Sequence, residues 1–397
     1  MSGCANKEQA AYKLAGQAQQ QLDRGDLAGA RLSIDEAIRE RDDLVELHLL
    51  KGRIELAGKS LDAAFLSFYN AMALDPVNQT ALQSVAMLGL QTGRADQAEE
   101  AAGKLLSISP QNPTGLLVRG LIAVERRRYP DAIAAADAIL ANLPTDEGAI
   151  VLKARALYLS DAKDEARKVI RQAVELTGGS AGLARISLEM ARADGDSAAM
   201  LAAFAQLRQQ GQADPEAILD EANLRYKTGD TQAARAMVIA TLPDEKLPPE
   251  ARLQLLELWR EYDPGAPARG ALPQPRNGTV REGLARYLLE RNRHAEAEAL
   301  LAGLDSPNAS GLRARVLLAQ GRGPAARQLA DRVVATDATQ CDARITLANL
   351  ALASGNATAA VTSGQQAAAE CPSLTAGWLV TAAAYTKAGQ AKQAERV

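Results

Sequence analysis

Residues 63–78, AAFLSFYNAMALDPVN, concentrate aromatic side chains in a chain that contains only 3% of them. Two phenylalanines and one tyrosine fall within five residues, and the small residues Ala64 and Ala71 flank Phe68. The run stops before Pro76, because proline cannot continue a helix. Small residues let two helices approach closely and a large one fills the gap beside them, so we expect Phe68 to be a packing residue.

The features of this stretch return every 34 residues, which indicates an internal repeat. Each unit reads as two helices on either side of a tight turn, with apolar residues at helical spacing in both. A single hairpin of this kind cannot bury its apolar face, whereas stacked neighbours can. The turns keep one register through seven units, at Gly25, Lys59, Gly93, Arg127, Asp161, Gly195 and Gly229.

The second unit shows the packing residues most clearly. They are Gly52 midway through the first helix and Ala64, Phe68, Ala71 and Pro76 on the second. This set resembles the tetratricopeptide repeat family, whose unit is a helical hairpin with these residue types at these places. The resemblance covers nearly the whole chain. It implies an all-α fold, an α-solenoid in the form of a right-handed superhelix of about eleven 34-residue helix–turn–helix repeats, one of them degenerate.

The register breaks once. After Gly229 the next turns are expected at Asp263 and Asn292, which are 29 residues apart instead of 34. Prolines between residues 264 and 275 exclude a second helix there. The loop at 263–277 is either a patch in a degenerate repeat, or a hinge or docking site. The predicted domains are an N-terminal tether at 1–10, seven repeats at 11–248, a degenerate half-repeat with a Pro-rich loop at 249–277, and a second block at 278–397 with a truncated last repeat.

Composition and charge argue against several classes of function. The net charge is −3, whereas nucleic-acid-binding domains are usually basic. No apolar run reaches the roughly 18 residues of a membrane-spanning helix. The two histidines and three cysteines do not have the spacing of a zinc site. We therefore expect no metal, no cofactor and no nucleic-acid partner.

The repeat register also brings no catalytic set of side chains together. Residues 321–326, GRGPAA, match the glycine-rich motif G-x-G-x-x-A of dinucleotide-binding proteins, but they lie in a repeat turn with no strand before them. The histidines, His48 and His294, stand in distant units. We predict that the chain is not an enzyme. The alternative is that it is the binding half of an enzyme whose catalytic domain is absent from this chain.

The first nine residues, MSGCANKEQ, do not resemble the start of a repeat. Ser-Gly-Cys resembles the end of a bacterial lipoprotein signal, which makes Cys4 the candidate for lipidation. Ala5 and Asn6 lack an aspartate directly behind the cysteine, which resembles outer-membrane sorting. The resemblance implies a periplasmic, outer-membrane-tethered protein that contacts the membrane only through this anchor. The alternative is an ordinary exposed cysteine in a cytoplasmic protein.

The other two cysteines lie at the two ends of one repeat. Cys341 opens its first helix and Cys371 closes its second. Because the helices of a hairpin are antiparallel, these ends should be neighbours, so a disulfide is geometrically plausible. A disulfide would fit an oxidising compartment. The alternative is two separate buried thiols.

The family resemblance further implies where a partner would bind. In the family, first helices line the inner groove, and its natural ligand is an extended protein or peptide segment. The residue after the small first-helix position, and those three and four further on, should face this groove. The candidates are Arg53, Arg155, Tyr158, Glu189, Asn223, Tyr226, Lys227, Arg286, Arg315 and Asn349. Asparagine can pair with a backbone amide and arginine with a carboxylate.

The predicted function is a non-enzymatic protein–protein interaction scaffold of the bacterial cell envelope. By resemblance to repeat proteins of the envelope, its partners would act in polysaccharide export, secretion or outer-membrane assembly. The alternative is a cytosolic adaptor or regulator, in which Cys4 has no special role.

Overall fold

The computed structural model describes residues 2–263 and 272–397, with side chains from residue 7 onward. Within these ranges the chain forms 23 α-helices and no strand, which confirms the all-α prediction. The helices group into two compact units, unit 1 at Met1–Gln212 and unit 2 at Ala213–Val397. In each unit, consecutive helices pack against one another as hairpins joined by short turns.

Unit 1 consists, in its described residues, of six hairpins. In each, a first helix is followed by a second. The pairs are α1 (Ser2–Asp23) with α2 (Leu27–Glu40), α3 (Val45–Ala57) with α4 (Leu61–Leu74), α5 (Gln79–Gln91) with α6 (Ala95–Ile108), α7 (Pro113–Glu125) with α8 (Tyr129–Leu140), α9 (Glu147–Leu159) with α10 (Lys163–Thr177), and α11 (Ala181–Asp194) with α12 (Ser197–Gln209).

Unit 2 contains, in its described residues, five further hairpins and one helix that is not part of a hairpin. The hairpins are α13 (Pro215–Lys227) with α14 (Thr231–Thr241), α16 (Gly278–Leu289) with α17 (His294–Leu301), α18 (Pro307–Ala319) with α19 (Gly323–Thr336), α20 (Cys341–Ala353) with α21 (Ala357–Glu370), and α22 (Thr375–Lys387) with α23 (Ala391–Ala394). The unpaired helix is α15 (Pro249–Tyr262). Residues 272–277 after it are not helical, and 264–271 of the predicted Pro-rich loop lie outside the described residues.

The predicted repeat blocks, 11–248 and 278–397, are defined by the repeat register, whereas the two compact units are defined by packing. The seventh repeat, α13 with α14, packs within unit 2. The physical reason is a continuous apolar core that joins α13 and α14 to α15, α16 and α18. It contains Ala222, Val238, Trp259, Leu284 and Leu312, none of which is accessible to solvent.

The turn register predicted from the sequence is confirmed by the backbone. Positive φ angles occur at the predicted turns Gly25, Lys59, Gly93, Arg127, Asp161, Gly195, Gly229 and Asn292. They occur again at Gly321, Gly355 and Gly389, which are 34 residues apart. This left-handed conformation closes each hairpin and suits glycine, which has no side chain to clash with the backbone. Asp263 is the exception, with φ of −133°. It ends α15 instead of turning into a second helix, and its carboxylate accepts a hydrogen bond of 2.6 Å from Arg235.

The packing of Phe68 explains the small residue on the first helix. Phe68 is 1% exposed, and its ring covers Gly52 of α3. A Cβ atom at Gly52 would lie 2.6 Å from the ring carbon Cε2, closer than two carbons can approach. At Gly120, two repeats on, a Cβ atom would lie 2.4 Å from Leu152 Cδ2. The small residue therefore makes room for a large side chain of a neighbouring helix.

The start of the chain differs from the tether predicted at residues 1–10. Helix α1 begins at Ser2, so the predicted tether is the first part of the helix that pairs with α2. Ala11 and Ala18 on this helix are fully buried in the first core. The side chain of Cys4 lies outside the described residues, and its lipidation stays a prediction.

Cys341 and Cys371 are joined in the structure. Their sulfur atoms lie 2.05 Å apart and their Cα atoms 6.3 Å apart, which is disulfide geometry. The bond ties the first turn of α20 to the residue that ends α21. Cys341 is 3% exposed, so the bond lies at the edge of a small apolar core with Ile345, Ala367 and Leu374.

We expect the disulfide to stabilise unit 2 by about 3–4 kcal/mol, because it closes a loop of 30 residues. The Cys341→Ala, Cys371→Ala double variant should therefore have a lower melting temperature than the oxidised protein. Alkylation of the denatured protein should label two more thiols after reduction than before it, those of Cys341 and Cys371, whether or not Cys4 carries a lipid. Equal labelling before and after reduction would contradict the bond.

Candidate functional site

First helices of unit 2 line two adjoining cavities, of about 460 and 740 Å³. Arg315, Ala376 and Leu379 border both, so the cavities form one surface, which we call the first-helix groove. Its lining residues are Glu257, Arg260, Glu261, Leu289, Glu290, Arg291, Asn292, His294, Arg315, Leu318, Ala319, Ile345, Asn349, Thr375, Ala376, Leu379, Val380 and Ala383.

Charged side chains on one side of the groove pair with one another. Arg260 lies 2.5 Å from Glu257 and 3.7 Å from Glu290, and Arg291 lies 3.8 Å from Glu290. The guanidinium of Arg291 also stacks 3.7 Å from the centre of the Tyr287 ring. The α15–α16 side of the groove therefore presents both signs of charge in close balance, not a field of one sign.

Apolar side chains form the opposite side. Leu379 on α22 borders both cavities, and its side chain is 65% exposed. Val380 and Ile345, which line the same cavity, are almost fully buried. Completely burying an exposed leucine is worth about 1.5–3 kcal/mol, so Leu379 is a ready contact for an apolar group.

A buried carboxylate holds two of the predicted groove arginines. Arg286 of α16 donates to Oδ2 of Asp342 at 2.7 Å, and Arg315 of α18 donates to Oδ1 at 2.6 Å. Asp342, on α20, is 1% exposed. Burial alone would raise the pKa of Asp342, but the two guanidinium groups outweigh it and hold that pKa below its ordinary value. The three residues join the first helices of three consecutive hairpins.

Sequence reasoning missed Asp342. The signal was its spacing, because it lies seven residues, about two helical turns, before Asn349 and so shares a face of α20 with that predicted residue. Asn349 itself lines the groove, and its amide donates to the carbonyl oxygen of Ile345 at 2.9 Å. His294 also lines the groove, and its buried Nδ1 has no hydrogen-bond partner among the described residues.

The predicted residues of unit 1 are mostly engaged with each other or with neighbours. Arg155 and Glu189 form an ion pair of 2.6 Å between α9 and α11. The hydroxyl of Tyr158 donates to Asp194 at 2.8 Å. Arg53 is exposed and makes no ion pair within the described residues. These residues lie on first helices as predicted, but Arg155, Glu189 and Tyr158 already bridge adjacent repeats.

The three predicted residues of α13 have different environments. Asn223 is half-buried and Lys227 is exposed. Tyr226 is 5% exposed and stacks on Tyr262 of α15, with ring centres 5.6 Å apart. It is a core residue of unit 2, contrary to our expectation of a groove residue, because α15 covers it.

The described residues contain no cluster of three or more histidine, cysteine, aspartate or glutamate side chains able to hold a metal ion. None of the helices in the described part of the chain has both the length and the apolarity that a membrane span requires.

The comparison with protein families gives a direct match. The model of the tetratricopeptide repeat matches residues 16–79, 86–147, 117–181 and 312–375, together more than half of the chain. A search among curated proteins finds no match.

Several solved structures are similar to the chain. A tetratricopeptide repeat protein from Parabacteroides merdae is 16% identical, with 78% of this chain and 99% of that one covered and a TM-score of 0.42. PilF of Pseudomonas aeruginosa is 15% identical, with 52% and 93% covered and a TM-score of 0.40. YrrB, described as a tetratricopeptide repeat protein with an unusual peptide-binding site, is 12% identical, with 45% and 92% covered and a TM-score of 0.41.

The family match agrees with the repeat register, the left-handed turns and the packing of Phe68 on Gly52. The chain belongs to the tetratricopeptide repeat family.

Proposed function

We propose that the chain is a protein-interaction scaffold that binds an extended segment of a partner protein in the first-helix groove of unit 2. Repeat arrays of this family generally act as non-catalytic protein-binding scaffolds, and their stacked helices form extended binding surfaces. The observation that carries the proposal for this chain is Leu379, which is 65% exposed and borders both cavities of the groove.

The chemistry of the groove indicates what kind of segment fits. Because Arg260, Glu257 and Glu290 pair with one another, they offer little attraction to a ligand of either charge. Leu379 offers an apolar contact, and the side-chain oxygen of Asn349 can accept a hydrogen bond from a backbone N–H. Arg315 donates a single hydrogen bond to Asp342 and has further N–H groups for a backbone carbonyl. A segment with an apolar anchor side chain suits this arrangement better than an acidic one.

Selection of peptides from a random display library on the full chain tests this proposal. The selected peptides should share an apolar anchor residue, and the Leu379→Glu variant should bind them at least tenfold more weakly. The reason is that a carboxylate at residue 379 would have to be desolvated beneath the anchor. Fluorescence anisotropy with the same labelled peptides gives the affinities.

Leu66→Glu is the matched control, because Leu66 is 55% exposed on α4 of unit 1 and lies outside the groove. It should leave the affinities unchanged. Equal binding of the selected peptides to Leu379→Glu and to the unmodified chain would contradict the proposed groove.

We further propose that the scaffold works in the bacterial cell envelope, tethered through Cys4. The disulfide between Cys341 and Cys371 supports an oxidising compartment, since such bonds are rare in the cytosol. The Ser-Gly-Cys sequence supports a lipid anchor at the same time. Polysaccharide export, secretion and outer-membrane assembly are the processes to which such a scaffold would contribute. The thiol measurement described above tests the compartment, because a cytosolic adaptor would carry reduced cysteines.

A further inference from the structure

A trench in unit 1 lies between two second helices and has a first helix as its floor. The second helices are α10 and α12, and the floor is α11. Its volume is about 380 Å³ and most of its surface is apolar, supplied by Ile170, Met190, Ala191 and Ala203. It lies apart from the first-helix groove and is not needed for the function proposed above. Pockets of this size and character are typical of small-molecule sites.

In two other repeats of unit 1 an ion pair spans the corresponding trench. It joins a residue of the wall to a residue of the floor, at positions that recur every 34 residues. In the first repeat pair they are Asp35 and Lys51, which form an ion pair of 2.7 Å. In the fourth pair they are Asp137 and Lys153, which form an ion pair of 2.6 Å.

The α10–α12 trench has neither of these two charges. Arg171 stands at the register position of Asp35 and Asp137, and Ser187 stands at that of Lys51 and Lys153. No ion pair can therefore form here, because the floor residue, Ser187, has a short neutral side chain and the wall residue, Arg171, is a cation. Arg171 is exposed and has no ion pair or hydrogen bond within residues 2–263 and 272–397.

The trenches of the other repeats differ from this one. Between α4 and α6, Phe65 and Tyr69 stack with ring centres 5.8 Å apart, and Arg94 lies 4.7 Å over Phe65. Between α6 and α8 a cavity of about 480 Å³ remains, but its lining is more polar and includes Glu99 and Asp131. The α10–α12 trench alone among these combines an apolar lining with an arginine that lacks a partner in the described residues.

The acidic residues around the trench do not compensate Arg171. Asp194 accepts hydrogen bonds of 2.9 Å from Lys163, 2.6 Å from Arg167 and 2.8 Å from Tyr158. The carboxylate of Asp196 caps α12 by accepting from the N–H of Ala199. Neither carboxylate is paired with Arg171, whose guanidinium thus has no acidic partner among the described residues.

We propose that the α10–α12 trench binds a free aliphatic monocarboxylate of medium chain length. Its hydrocarbon chain lies on Ile170, Met190 and Ala203, and its carboxylate pairs with Arg171. The ligand thus replaces the missing ion pair and the missing floor side chain together. The guanidinium of an arginine can donate two parallel hydrogen bonds to a carboxylate. The apolar lining disfavours a ligand that is polar throughout, because its polar groups would lose their hydrogen bonds to water.

Isothermal titration calorimetry tests this with sodium decanoate, below its micelle concentration, and the full chain. We expect one saturable site. Arg171→Ala should weaken binding about tenfold, because it removes a charge-assisted hydrogen bond worth about 1.4 kcal/mol. Decan-1-ol, which has the same chain without the charge, should bind the unmodified protein about as weakly as decanoate binds Arg171→Ala.

The sharpest variant is Arg171→Asp with Ser187→Lys, because it restores the ion pair that the chain uses at Asp35–Lys51 and Asp137–Lys153. It should abolish decanoate binding without lowering the melting temperature. Should the double variant fail to fold, Ala202→Leu serves the same purpose, since it fills the trench with the residue found at the same register position, Leu66.

Arg119→Ala is the matched control. Arg119 stands at the register position of Ser187 and lines the polar trench between α6 and α8, so its removal should leave decanoate binding unchanged. The proposal is overturned if the unmodified chain binds no decanoate. It is equally overturned if a folded trench-filling variant binds decanoate as tightly as the unmodified chain does.

Discussion

Replacing Phe68 with alanine is expected to lower the free energy of unfolding of unit 1 by about 3–5 kcal/mol, as other large-to-small core changes do. Phe68 is 1% exposed and covers Gly52, so its removal leaves a cavity beside a residue that has no side chain. Urea denaturation followed by circular dichroism measures the change. Peptides bound by the first-helix groove of unit 2 should bind this variant unchanged.

The control for this prediction stands two residues earlier on the same helix. Leu66 is 55% exposed, so Leu66→Ala should change the free energy of unfolding by no more than about 0.5 kcal/mol. Similar losses for Phe68→Ala and Leu66→Ala would mean that Phe68 is not the packing residue that the repeat register assigns.

Replacing Asp342 with alanine is expected to destabilise unit 2 by about 3–5 kcal/mol, the range for breaking a buried charge pair by removing one partner. Asp342 is 1% exposed, whereas the side chains of Arg286 and Arg315 are 27% and 15% exposed. The variant leaves two cations close together without their shared carboxylate. Differential scanning calorimetry of the full chain would show the loss as a lower melting temperature for unit 2.

Glu189→Ala is the matched control for Asp342→Ala. It also breaks an ion pair between first helices, but Glu189 is 54% exposed, so the loss should be no more than about 1 kcal/mol. An Asp342→Ala protein as stable as Glu189→Ala would contradict the role that we assign to the buried carboxylate.

The carboxylate of Asp342 also makes the stability of unit 2 depend on pH. Because the pKa of Asp342 is lower in the folded chain than the value near 3.9 of a free aspartate, its stabilisation is complete above that value and is lost as pH falls through the folded-state pKa. The difference in stability between the unmodified chain and Asp342→Asn should therefore narrow at acidic pH below about 4. If the stability difference between the unmodified chain and Asp342→Asn stays constant down to pH 2, folding does not lower the pKa of Asp342.

Much of the fold could be predicted because each repeat is specified by residues that are close together in the sequence. The turn positions follow from a spacing of 34, and Lys59 and Asn292 confirm the register although neither is glycine. The candidate site was less predictable. Arg315 and Asn349 do line the groove, but the register also selected Tyr226, which is buried by α15. A position in the repeat register predicts the direction in which a side chain points from its helix. It does not predict which other helix packs over that side chain.

The sequence alone thus determined the helical hairpins, their turns and the pairing of Gly52 with Phe68, because each depends on residues within a single repeat. Only the tertiary structure decided which charges are paired and where space remains. Asp342 binds arginines 56 and 27 residues away, and Arg171 lines a cavity together with Ser187 of the next repeat. Such contacts depend on how consecutive repeats stack, and the period of the sequence is the same whether they form or not.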